Sequence, residues 1–429
     1  MAPLTRGQLH VAGELTVPGD KSISHRALIC AALADGTSEI RDILPSADVQ
    51  STAGVLRALG VFVPALAPVM RVTGAGRRSL AAPAAHLDCG NSGTTARLMA
   101  GVVAGAGVAA RFVGDSSLSR RPMRRVQRPL EAMGAVVALP DHGGLPMDVR
   151  GDALRSVEWA SDTPSAQVKS CVLLAALTAG VEATVREPSR SRDHTERMLA
   201  SMGAEVWVND DAVMLFAEQT LSPLELSVPG DPSSASFFAA LASLAADGDL
   251  LARRVGINET RSGFFAVLRE MGASIELENA VRASGEHVAD LRIATGRGLT
   301  GVTVSGTAIP TLIDELPLLA CVAAYAEGET RVTGAAELRV KESDRITAVV
   351  DNLRLLGADA DELPDGFVVR GTHPRLRGTV VTHGDHRLAM AFGVLSALPG
   401  NEIAIDDREC VAVSYPDFWA DLARVTGRD

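Results

Sequence analysis

Runs of apolar residues long enough for buried helices recur along the chain at a regular interval. Each run is rich in alanine and leucine, reaches a glycine and continues into a segment of β-forming residues. The runs are "ALICAALADGTSEIRDI", "RLMAGVVAGAGVAARFV", "CVLLAALTAGVEATVRE", "FFAALASLAADGDLLARRV", "LLACVAAYAEGETRVTG" and "AMAFGVLSALPGNEIAID", with glycines at 36, 107, 180, 248, 328 and 400. These glycines lie 68 to 80 residues apart. The pattern predicts six copies of one structural unit.

A second series of helices alternates with the first. These helices are more polar and end at a Leu/Met-Gly or similar step, at Gly60, Gly134, Gly203, Gly272, Gly357 and Gly427. Each copy therefore holds two helices with glycine C-caps and β segments between them. A unit of this size cannot bury both faces of its own strands, so the units must pack together in a mixed α/β fold.

A repeated turn divides the six copies into three and three. The segment "ELTVPGD" at 14–20 nearly matches "ELSVPGD" at 225–231. We expect a first domain over 19–229 and a second over 1–18 and 230–429, with the strand before Val17 joining the second domain. Two chain crossings would form a hinge, and the cleft between domains is a usual ligand site. A rigid domain pair with ordinary Pro-Gly turns is the alternative.

Length and composition indicate a folded protein with a large core, since 47% of the 429 residues are hydrophobic. The segment "MAPLTRGQLHVAGEL" lacks a continuous apolar stretch, and the uncharged run at 98–110 is glycine-rich and shorter than a membrane span. We expect neither export nor membrane insertion. Cys30, Cys171 and Cys321 lie in apolar runs, which predicts core thiols in a reducing cytoplasm.

Charge and aromatic content argue against a nucleic-acid partner. The formal net charge is −11 and only 3% of residues are aromatic, whereas nucleic-acid binders usually carry a broad basic surface and stacking platforms. Arginines are nevertheless concentrated in "RRPMRRVQR" at 120–128. This cluster predicts a local site for a small anion.

In the first half of the chain, small polar and cationic residues stand before the apolar helices. In "VPGDKSISHRALICAAL", Ser22 or Ser24 can cap a helix beginning near His25, and the free amides of a helix start attract anions. Lys21 and Arg26 add positive charge there. Further helix starts carry Gly93 in "GNSGTTARL", Arg121 before Pro122 in "SRRPMRR", and Ser165 and Gln167 in "TPSAQVKS". A capped surface helix with solvated side chains is the alternative at each.

The second half contributes acids and bases at its helix starts. These are Asp314 and Glu315 in "LIDELP", Lys341, Glu342, Asp344 and Arg345 in "VKESDRI", and His386 and Arg387 in "HGDHRLAMAF". If "VKESDRI" is helical, Lys341 and Arg345 share one face. A zinc site at His383 and His386 lacks a third ligand nearby. Because a repeat fold brings equivalent positions to one face, we expect these charges to converge on anionic substrates.

At this point the chain resembles the 5-enolpyruvylshikimate-3-phosphate synthase family of enolpyruvyl transferases over essentially its whole length. The motifs that carry the resemblance, in the family's order, are "PGDKSISHRALICAALA", "GNSGTTARL", "SRRPMRR", "SAQVKS", "RDHTERML", "GDPSSASFF", "IDELP", "RVKESDRI" and "GDHRLAMAF". The resemblance implies a two-domain inside-out α/β barrel with three βαβαββ repeats per domain. It also implies transfer of the enolpyruvyl group of phosphoenolpyruvate to the 5-hydroxyl of shikimate 3-phosphate, without cofactor or metal, by a monomer.

The resemblance also implies roles for individual residues. Phosphoenolpyruvate would contact Lys21, Gly93, Arg121, Gln167, Arg345 and Arg387. Shikimate 3-phosphate would contact Lys21, Ser22, Arg26, Ser165, Ala166, Gln167, Arg192, Asp314 and Lys341. Asp314 would be the base on the hydroxyl, and Glu342 with Lys21 would exchange the proton at carbon. Other members place a tyrosine near Arg192, a second serine at Ala166 and a lysine at Val413.

Gly93 matches the loop residue of members sensitive to glyphosate, an inhibitor that occupies the phosphoenolpyruvate position, and so predicts sensitivity. Two other interpretations remain open. The sister enzyme that acts on UDP-N-acetylglucosamine has a cysteine in the loop before Arg121, where this chain has Ser116 and Ser117. A catalytically inactive relative that only binds ligands would retain the same fold.

Overall fold

The computed structural model describes residues 9–77, 79–295 and 298–427. Residues 1–8 of the expected second domain therefore lie outside the described residues. The α-helices are α1 (Lys21–Leu33), α2 (Ala47–Ala58), α3 (Gly93–Gly105), α4 (Ser116–Arg120), α5 (Arg124–Ala132), α6 (Ala166–Ala179), α7 (His194–Ser201), α8 (Pro232–Leu244), α9 (Gly263–Glu270), α10 (Ile309–Leu312), α11 (Leu316–Ala323), α12 (Arg345–Leu356), α13 (His386–Ser396) and α14 (Phe418–Thr426).

Short strands alternate with these helices. They are β1 (Gly13–Leu15), β2 (Asp35–Arg41), β3 (Val69–Ala75), β4 (Leu87–Asp88), β5 (Ala109–Val113), β6 (Val136–Ala138), β7 (Met147–Arg150), β8 (Val157–Ala160), β9 (Ala183–Arg186), β10 (Val206–Val208), β11 (Ala212–Leu215), β12 (Glu225–Ser227), β13 (Asp249–Gly256), β14 (Ser274–Ala283), β15 (Glu286–Ala294), β16 (Thr303–Val304), β17 (Gly328–Val332), β18 (Asp359–Leu363), β19 (Gly366–Gly371), β20 (Arg377–Val380) and β21 (Glu402–Ile405). Single 3₁₀ turns span Gly306–Ala308, Ile313–Glu315, Ala336–Val340 and Glu409–Val413.

The chain forms two compact units. The N-terminal unit comprises Gly19–Val228 and Arg282–Glu286, and the C-terminal unit comprises Met1–Pro18, Pro229–Val281 and His287–Asp429. The expected domains differ from these units at Pro229 and at 282–286. The second difference arises because the turn between β14 and β15 belongs to the N-terminal unit, where Glu286 pairs with His194 of α7 at 2.8 Å.

The six alanine-rich runs form the central helices α1, α3, α6, α8, α11 and α13, which are buried almost throughout their length. A helix that is apolar on all sides requires such surroundings. In the N-terminal unit α3 packs closely on α6, and in the C-terminal unit α8, α11 and α13 pack on one another. Gly101 and Gly105 make the α3–α6 approach possible, since a Cβ at either would lie within 2.4 Å of a carbonyl oxygen of α6. Cys30, Cys171 and Cys321 are buried in these cores as predicted.

Each central helix is linked to a sheet that contains one parallel strand pair. Within the described residues the N-terminal unit has sheets of order β12-β2-β3, β4-β5-β7-β6 and β8-β9-β11-β10, and the C-terminal unit has β1-β13-β15-β14, β16-β17-β19-β18 and β20-β21. The helices α3, α6, α11 and α13 join the strands of the parallel pairs β4–β5, β8–β9, β16–β17 and β20–β21. A parallel pair requires such a crossover.

The two VPGD turns mark an exchange of strands between the repeats. Strand β1 precedes α1 but pairs in parallel with β13, after α8, with Leu15 opposite Ala252. Strand β12 precedes α8 but pairs in parallel with β2, after α1. The aspartates that end the two turns, Asp20 and Asp231, are the N-caps of α1 and α8. The repeated turn is therefore a strand-to-helix connection used once for each unit.

The glycines that defined the repeat in the sequence have a common backbone conformation. All twelve, from Gly36 to Gly427, have positive φ angles. Only glycine adopts this region without a steric penalty, so the spacing of these residues fixes where each copy turns.

One stretch, Gly306–Ala323, is long and apolar enough to match a membrane span by composition. It is 67% buried within the protein and is divided into short helical segments that include Asp314 and Glu315. Core helices of globular proteins meet the same criterion.

Candidate active site

Helix α1 begins four residues earlier than the sequence predicts. Asp20, rather than Ser22 or Ser24, is its N-cap, and Asp20 Oδ1 accepts a hydrogen bond from the amide of Ile23 at 2.8 Å. The prediction was wrong because an aspartate caps a helix as well as a serine does. Lys21 and Ser22 consequently lie in the first turn of α1.

Lys21 and Arg26 are held at this helix start in different ways. Lys21 Nζ forms an ion pair with Asp48 of α2 at 3.0 Å. Arg26 is buried, and its Nε and Nη2 donate to Thr195 Oγ1 at 2.7 Å and to Ser170 Oγ at 2.8 Å. The acceptors of Arg26 on α6 and α7 are thus neutral hydroxyls.

Charges of both signs act on the buried Arg26 guanidinium. Burial lowers its pKa, the negative charges of Glu196 and Asp20 oppose that shift, and the positive charge of Arg192 adds to it. An arginine nevertheless remains charged at neutral pH. Arg192 is therefore near enough to Arg26 to act on it electrostatically, and guanidinium groups favour phosphate.

Gly93 and Gln167 meet where α3 and α6 begin. Gly93 is the first residue of α3, after the N-cap Ser92. Gln167, in the first turn of α6, donates through Nε2 to Thr94 Oγ1 at 3.0 Å, and its Oε1 accepts a hydrogen bond from Arg97. Arg97 was not among the predicted site residues, although "GTTAR" placed it one turn into the helix.

Arg121 approaches the same helix start from a different element than predicted. It is the C-cap of α4, and α5 begins only at Arg124, so Pro122 is not at a helix start as the sequence suggested. Arg121 Nη2 donates to Asn91 Oδ1 at 2.6 Å and to Ser117 Oγ at 3.3 Å. A Cβ added at Gly93 would lie 3.5 Å from Arg121 Nη1.

Ser165 and Ala166 open helix α6. Ser165 is its N-cap, with Oγ accepting from the amide of Val168 at 3.4 Å, and Ala166 follows as the first helical residue. Both side chains are half-buried. We refer to Lys21, Ser22, Arg26, Gly93, Arg121, Ser165, Ala166, Gln167 and Arg192 as the N-terminal cluster.

A buried chain of hydroxyl groups connects the starts of α1 and α3. His25 Nδ1 lies 2.7 Å from Thr52 Oγ1, which shares a hydrogen bond of 2.7 Å with Thr95 Oγ1. Thr95 Oγ1 in turn donates to the N-cap oxygen of Ser92 at 2.8 Å. Burial, with the charges of Lys21 and Arg26, holds the pKa of His25 well below its usual value, so the imidazole is neutral.

In the C-terminal unit the predicted residues form one ion-pair network around Asp314. Lys341 Nζ and Arg345 Nη1 lie 3.4 and 3.3 Å from Asp314 Oδ1, and Arg387 Nη2 lies 3.7 Å from Oδ2. Arg387 Nη1 also donates to the Asp314 carbonyl at 3.1 Å. Three cations therefore stabilise the Asp314 carboxylate.

Arg345 is the centre of this network. It is fully buried and pairs with Glu342 at 2.7 Å and with Asp385 at 2.8 Å, besides Asp314. Burial alone would lower the pKa of Arg345, but Asp385, Glu342 and Asp314 together raise it. Burial raises the pKa of Asp385, yet Arg345 outweighs this and the net shift is downward.

The segment that carries Lys341 and Glu342 is not helical. Helix α12 begins at Arg345, with Asp344 as N-cap, and the preceding residues form a bend after the 3₁₀ turn Ala336–Val340. The predicted common helical face of Lys341 and Arg345 was therefore wrong. Their side chains meet instead at Asp314. We refer to Asp314, Lys341, Glu342, Arg345 and Arg387 as the C-terminal cluster.

Exposure separates the carboxylates that contact Arg345. The side chains of Glu342 and Asp314 are 21% and 11% exposed, whereas that of Asp385 is fully enclosed. Only Glu342 and Asp314 can meet a reacting group from outside. Asp385 caps α13 by accepting from the amide of Arg387 at 3.0 Å, a role that an aspartate before an apolar run could have indicated.

The sequence indicated Glu315 as a candidate acid but not the partners that hold it beneath Arg387. Glu315 accepts from Arg387 Nη1 at 3.1 Å and from Arg261 Nη1 at 3.3 Å. Arg261 also pairs with the N-cap Asp231 at 3.1 Å. No local signal links these residues, because they meet only through tertiary folding. Among the described residues, no group of three His, Cys, Asp or Glu side chains could hold a metal ion.

Comparisons with known proteins agree with the motifs. Residues 5–422 match the model of the family described as EPSP synthase (3-phosphoshikimate 1-carboxyvinyltransferase). The chain is 47% identical to the 3-phosphoshikimate 1-carboxyvinyltransferase of Sulfurihydrogenibium sp. over 421 residues, covering 97% of each chain. It is also 47% identical to that of Gloeobacter violaceus over 418 residues, covering 97% of this chain and 96% of the relative.

Solved structures give the same result. An EPSP synthase from Acinetobacter baumannii superposes with a TM-score of 0.85 at 38% identity, covering 99% of this chain and 97% of that one. The enolpyruvyl transferase NikO from Streptomyces tendae shares the fold, with a TM-score of 0.75 at 18% identity and coverage of 99% and 96%. The predicted two-domain inside-out α/β fold is confirmed. The chain belongs to the EPSP synthase (3-phosphoshikimate 1-carboxyvinyltransferase) family.

Proposed function

We propose that the chain transfers the enolpyruvyl group of phosphoenolpyruvate to the 5-hydroxyl of shikimate 3-phosphate and releases inorganic phosphate. The reaction belongs to the shikimate pathway of aromatic amino acid biosynthesis. The observation that carries the proposal is the Asp314 carboxylate, which three cations surround while its side chain remains 11% exposed. Family membership supports the same reaction.

The N-terminal cluster binds shikimate 3-phosphate. Arg26 and Arg192 offer two guanidinium groups for its phosphate, and Ser22, Ser165 and Gln167 offer hydroxyl and amide groups for its ring oxygens. Lys21, Asp314 and Lys341 complete this proposed set, and Ala166 contributes only backbone. Asp314 faces the reacting hydroxyl, because a base must lie within hydrogen-bond reach of the proton that it removes.

Phosphoenolpyruvate carries a carboxylate and a phosphate, and the cations proposed to bind it are Lys21, Arg121, Arg345 and Arg387. Arginine suits both groups because its planar fork matches their oxygens bidentately. Gly93 leaves space beside Arg121, and Gln167 supplies a neutral donor. Val413, where many members have a lysine, provides no charge, and we assign the missing positive charge to Lys341.

The proposed chemistry proceeds by addition and elimination. Asp314 removes the proton of the 5-hydroxyl while the hydroxyl oxygen of the substrate attacks the central carbon of phosphoenolpyruvate. The methylene carbon takes a proton from Glu342 or Lys21. The tetrahedral adduct then loses a methyl proton to the same group and expels phosphate, which takes up the proton that Asp314 removed from the hydroxyl. All atoms are accounted for by the two substrates, so the step needs neither metal nor cofactor.

We further propose that the enzyme is a cytoplasmic monomer of two three-repeat domains, 19–229 and 1–18 with 230–429. Glyphosate would compete with phosphoenolpyruvate, since its carboxylate and phosphonate resemble the carboxylate and phosphate of that substrate. Sedimentation tests the monomer, fractionation of the source cells tests the location, and inhibition at several phosphoenolpyruvate concentrations tests the competition. A glyphosate effect independent of phosphoenolpyruvate would contradict the last proposal.

The decisive experiment measures phosphate release from phosphoenolpyruvate with shikimate 3-phosphate, with UDP-N-acetylglucosamine and without an acceptor. We expect release only with shikimate 3-phosphate. Release with the nucleotide sugar alone would assign the chain to the sister activity. Binding of shikimate 3-phosphate without any turnover would indicate an inactive relative.

A further inference from the structure

A lysine is buried in the first turn of helix α6, between two buried glutamates. The side chain of Lys169 is only 3% exposed, and its Nζ lies 2.8 Å from Glu187 and 2.8 Å from Glu196. Burial lowers the pKa of Lys169, but Glu196 and Glu187 outweigh it, so the ammonium form persists. The two carboxylates and the lysine thus form a buried charged triad.

Stability alone does not account for this triad. A cation near a helix N-terminus opposes the helix dipole, and removing three charges from water is costly. Well-packed apolar residues of similar volume often serve a core equally well. The neighbouring residues Val168, Val172 and Leu173 show that α6 accepts apolar side chains at these depths.

The contacts of Glu187 indicate a role for the triad other than stability. Its Oε1 accepts a hydrogen bond from the backbone amide of Ser165 at 2.7 Å, and both of its oxygens accept from Ser191 Oγ at 2.8 Å. Ser165 is the N-cap of α6, and Ser191 precedes Arg192. One carboxylate therefore fixes two loops that each carry a proposed contact to shikimate 3-phosphate.

The other arm of the triad leads to Arg26. Glu196 stands beside Thr195 in the first turn of α7, and Thr195 Oγ1 accepts from Arg26 Nε at 2.7 Å. Ser170, next to Lys169 on α6, holds the other side of the same guanidinium at 2.8 Å. Lys169 thus ties together the elements that orient Arg26, Ser165 and Arg192.

We propose that Lys169, Glu187 and Glu196 are positioning residues for the shikimate 3-phosphate site, with Glu187 holding the Ser165 and Arg192 loops in their binding geometry. This inference rests on the proposed function. The triad itself touches no substrate and takes no part in proton transfer. Its loss affects the binding of one substrate rather than the chemical step.

The test is Glu187→Gln, which retains the shape and an acceptor oxygen but removes the charge. We expect the Kd of shikimate 3-phosphate, measured by calorimetry, to rise about tenfold, as for loss of one charge-assisted hydrogen bond. The kcat at saturation and the KM of phosphoenolpyruvate should stay within about twofold, which defines the split expected of a positioning residue.

A milder variant tests the same contact in case Glu187→Gln does not fold. Ser191→Ala removes only the neutral hydroxyl from Glu187, and we expect about a threefold rise in the same Kd, in keeping with a neutral bond. The matched control is Thr178→Val on the same helix, whose buried hydroxyl only donates to the Leu174 carbonyl. This variant should bind shikimate 3-phosphate as the wild type does.

The outcomes separate this inference from the proposed function. A wild-type protein that neither binds shikimate 3-phosphate nor releases phosphate refutes the function. A wild type that does both, with Glu187→Gln and Ser191→Ala binding equally tightly, refutes the positioning role alone. A parallel loss of both substrate affinities, or a thermal shift without any change in Kd, also refutes it.

Discussion

Two arginines in each cluster are supported differently, whereas the lysine of each cluster, Lys21 or Lys341, pairs with an aspartate. In the N-terminal unit, the contacts of Arg26 on α6 and α7 are hydroxyls, and Arg121 donates to an amide and a hydroxyl oxygen. In the C-terminal unit, Arg345 and Arg387 rest on carboxylates.

This difference has an electrostatic consequence. A guanidinium held by neutral oxygens keeps more of its field for an incoming anion, whereas one held by carboxylates shares its field with those acids, which it stabilises in ionised form. The N-terminal cluster is therefore suited to capture phosphate. The C-terminal cluster is suited to hold acids and bases that move protons.

The largest effect on activity should come from the C-terminal cluster, which contains the proposed base. Asp314→Asn removes the proposed base while keeping its size, and we expect kcat to fall by about 10² to 10⁴, the usual contribution of positioned proton transfer. Rapid-quench measurement of phosphate release checks this. Asp351→Asn, on the exposed face of α12, is the control and should have wild-type activity. Full turnover by Asp314→Asn would remove Asp314 as the base.

The free energy of unfolding should also distinguish an arginine held by carboxylates from an arginine held by hydroxyl groups. Asp385→Asn leaves buried Arg345 without one of its carboxylates, and we expect the free energy of unfolding to fall by about 3 kcal/mol. Ser170→Ala removes one hydroxyl from Arg26 and should cost about 1 kcal/mol. Urea unfolding of both variants measures the difference. Equal losses would mean that the two supports do not differ as described.

The third prediction concerns the N-terminal cluster and the space beside Gly93. A methyl group there would lie 3.1 Å from Arg97 Nη1 and 3.5 Å from Arg121 Nη1. We expect Gly93→Ala to raise the KM of phosphoenolpyruvate and the Ki of glyphosate, each by about tenfold, a typical cost of one added methyl in a packed site. Steady-state kinetics decide this, with Gly54→Ala, where a Cβ meets nothing within 4 Å, as the control. An unchanged Ki would place the inhibitor elsewhere.

The chain of hydroxyl groups that includes His25 gives the last prediction, a dependence of stability on pH. The pKa of His25 is well below that of the unfolded chain, so below about pH 6.5 the unfolded state binds one more proton and stability falls as pH falls. This contribution amounts to about 1.4 kcal/mol per pH unit until the folded pKa is reached. Unfolding from pH 7 to 5 should show this slope in the wild type and lack it in His25→Gln. His86→Gln, on the surface, should keep it.

Much of the fold could be predicted because its signals are local. Alanine-rich helices apolar on every side must be buried, and glycines with positive φ end each segment, so both features appear directly in the sequence. The start of α1 was mistaken because Asp20, Ser22 and Ser24 are all competent caps, and only the backbone shows which one acts. The 282–286 turn was missed because its contact with α7 joins residues distant in sequence.

The same distinction between local signals and tertiary contacts applies to the functional site. Residues in motifs, such as Lys21, Asp314 and Arg387, could be named from the sequence, and the roles assigned to them stay predictions. Their supports could not be named from the sequence. Glu315 with Arg261, and Lys169 with Glu187, have no local pattern, because a buried ion pair depends on tertiary distance rather than on spacing.

The proposed mechanism requires that the enzyme add a proton to the methylene carbon of phosphoenolpyruvate and remove one again during enolpyruvyl transfer. Running the reaction of phosphoenolpyruvate with shikimate 3-phosphate in D₂O and following the product by proton NMR tests it directly. We expect the enolpyruvyl ether as product, with deuterium entering its methylene group during turnover. Formation of that ether with a fully protonated methylene group, or no ether at all, would refute the proposed addition and elimination.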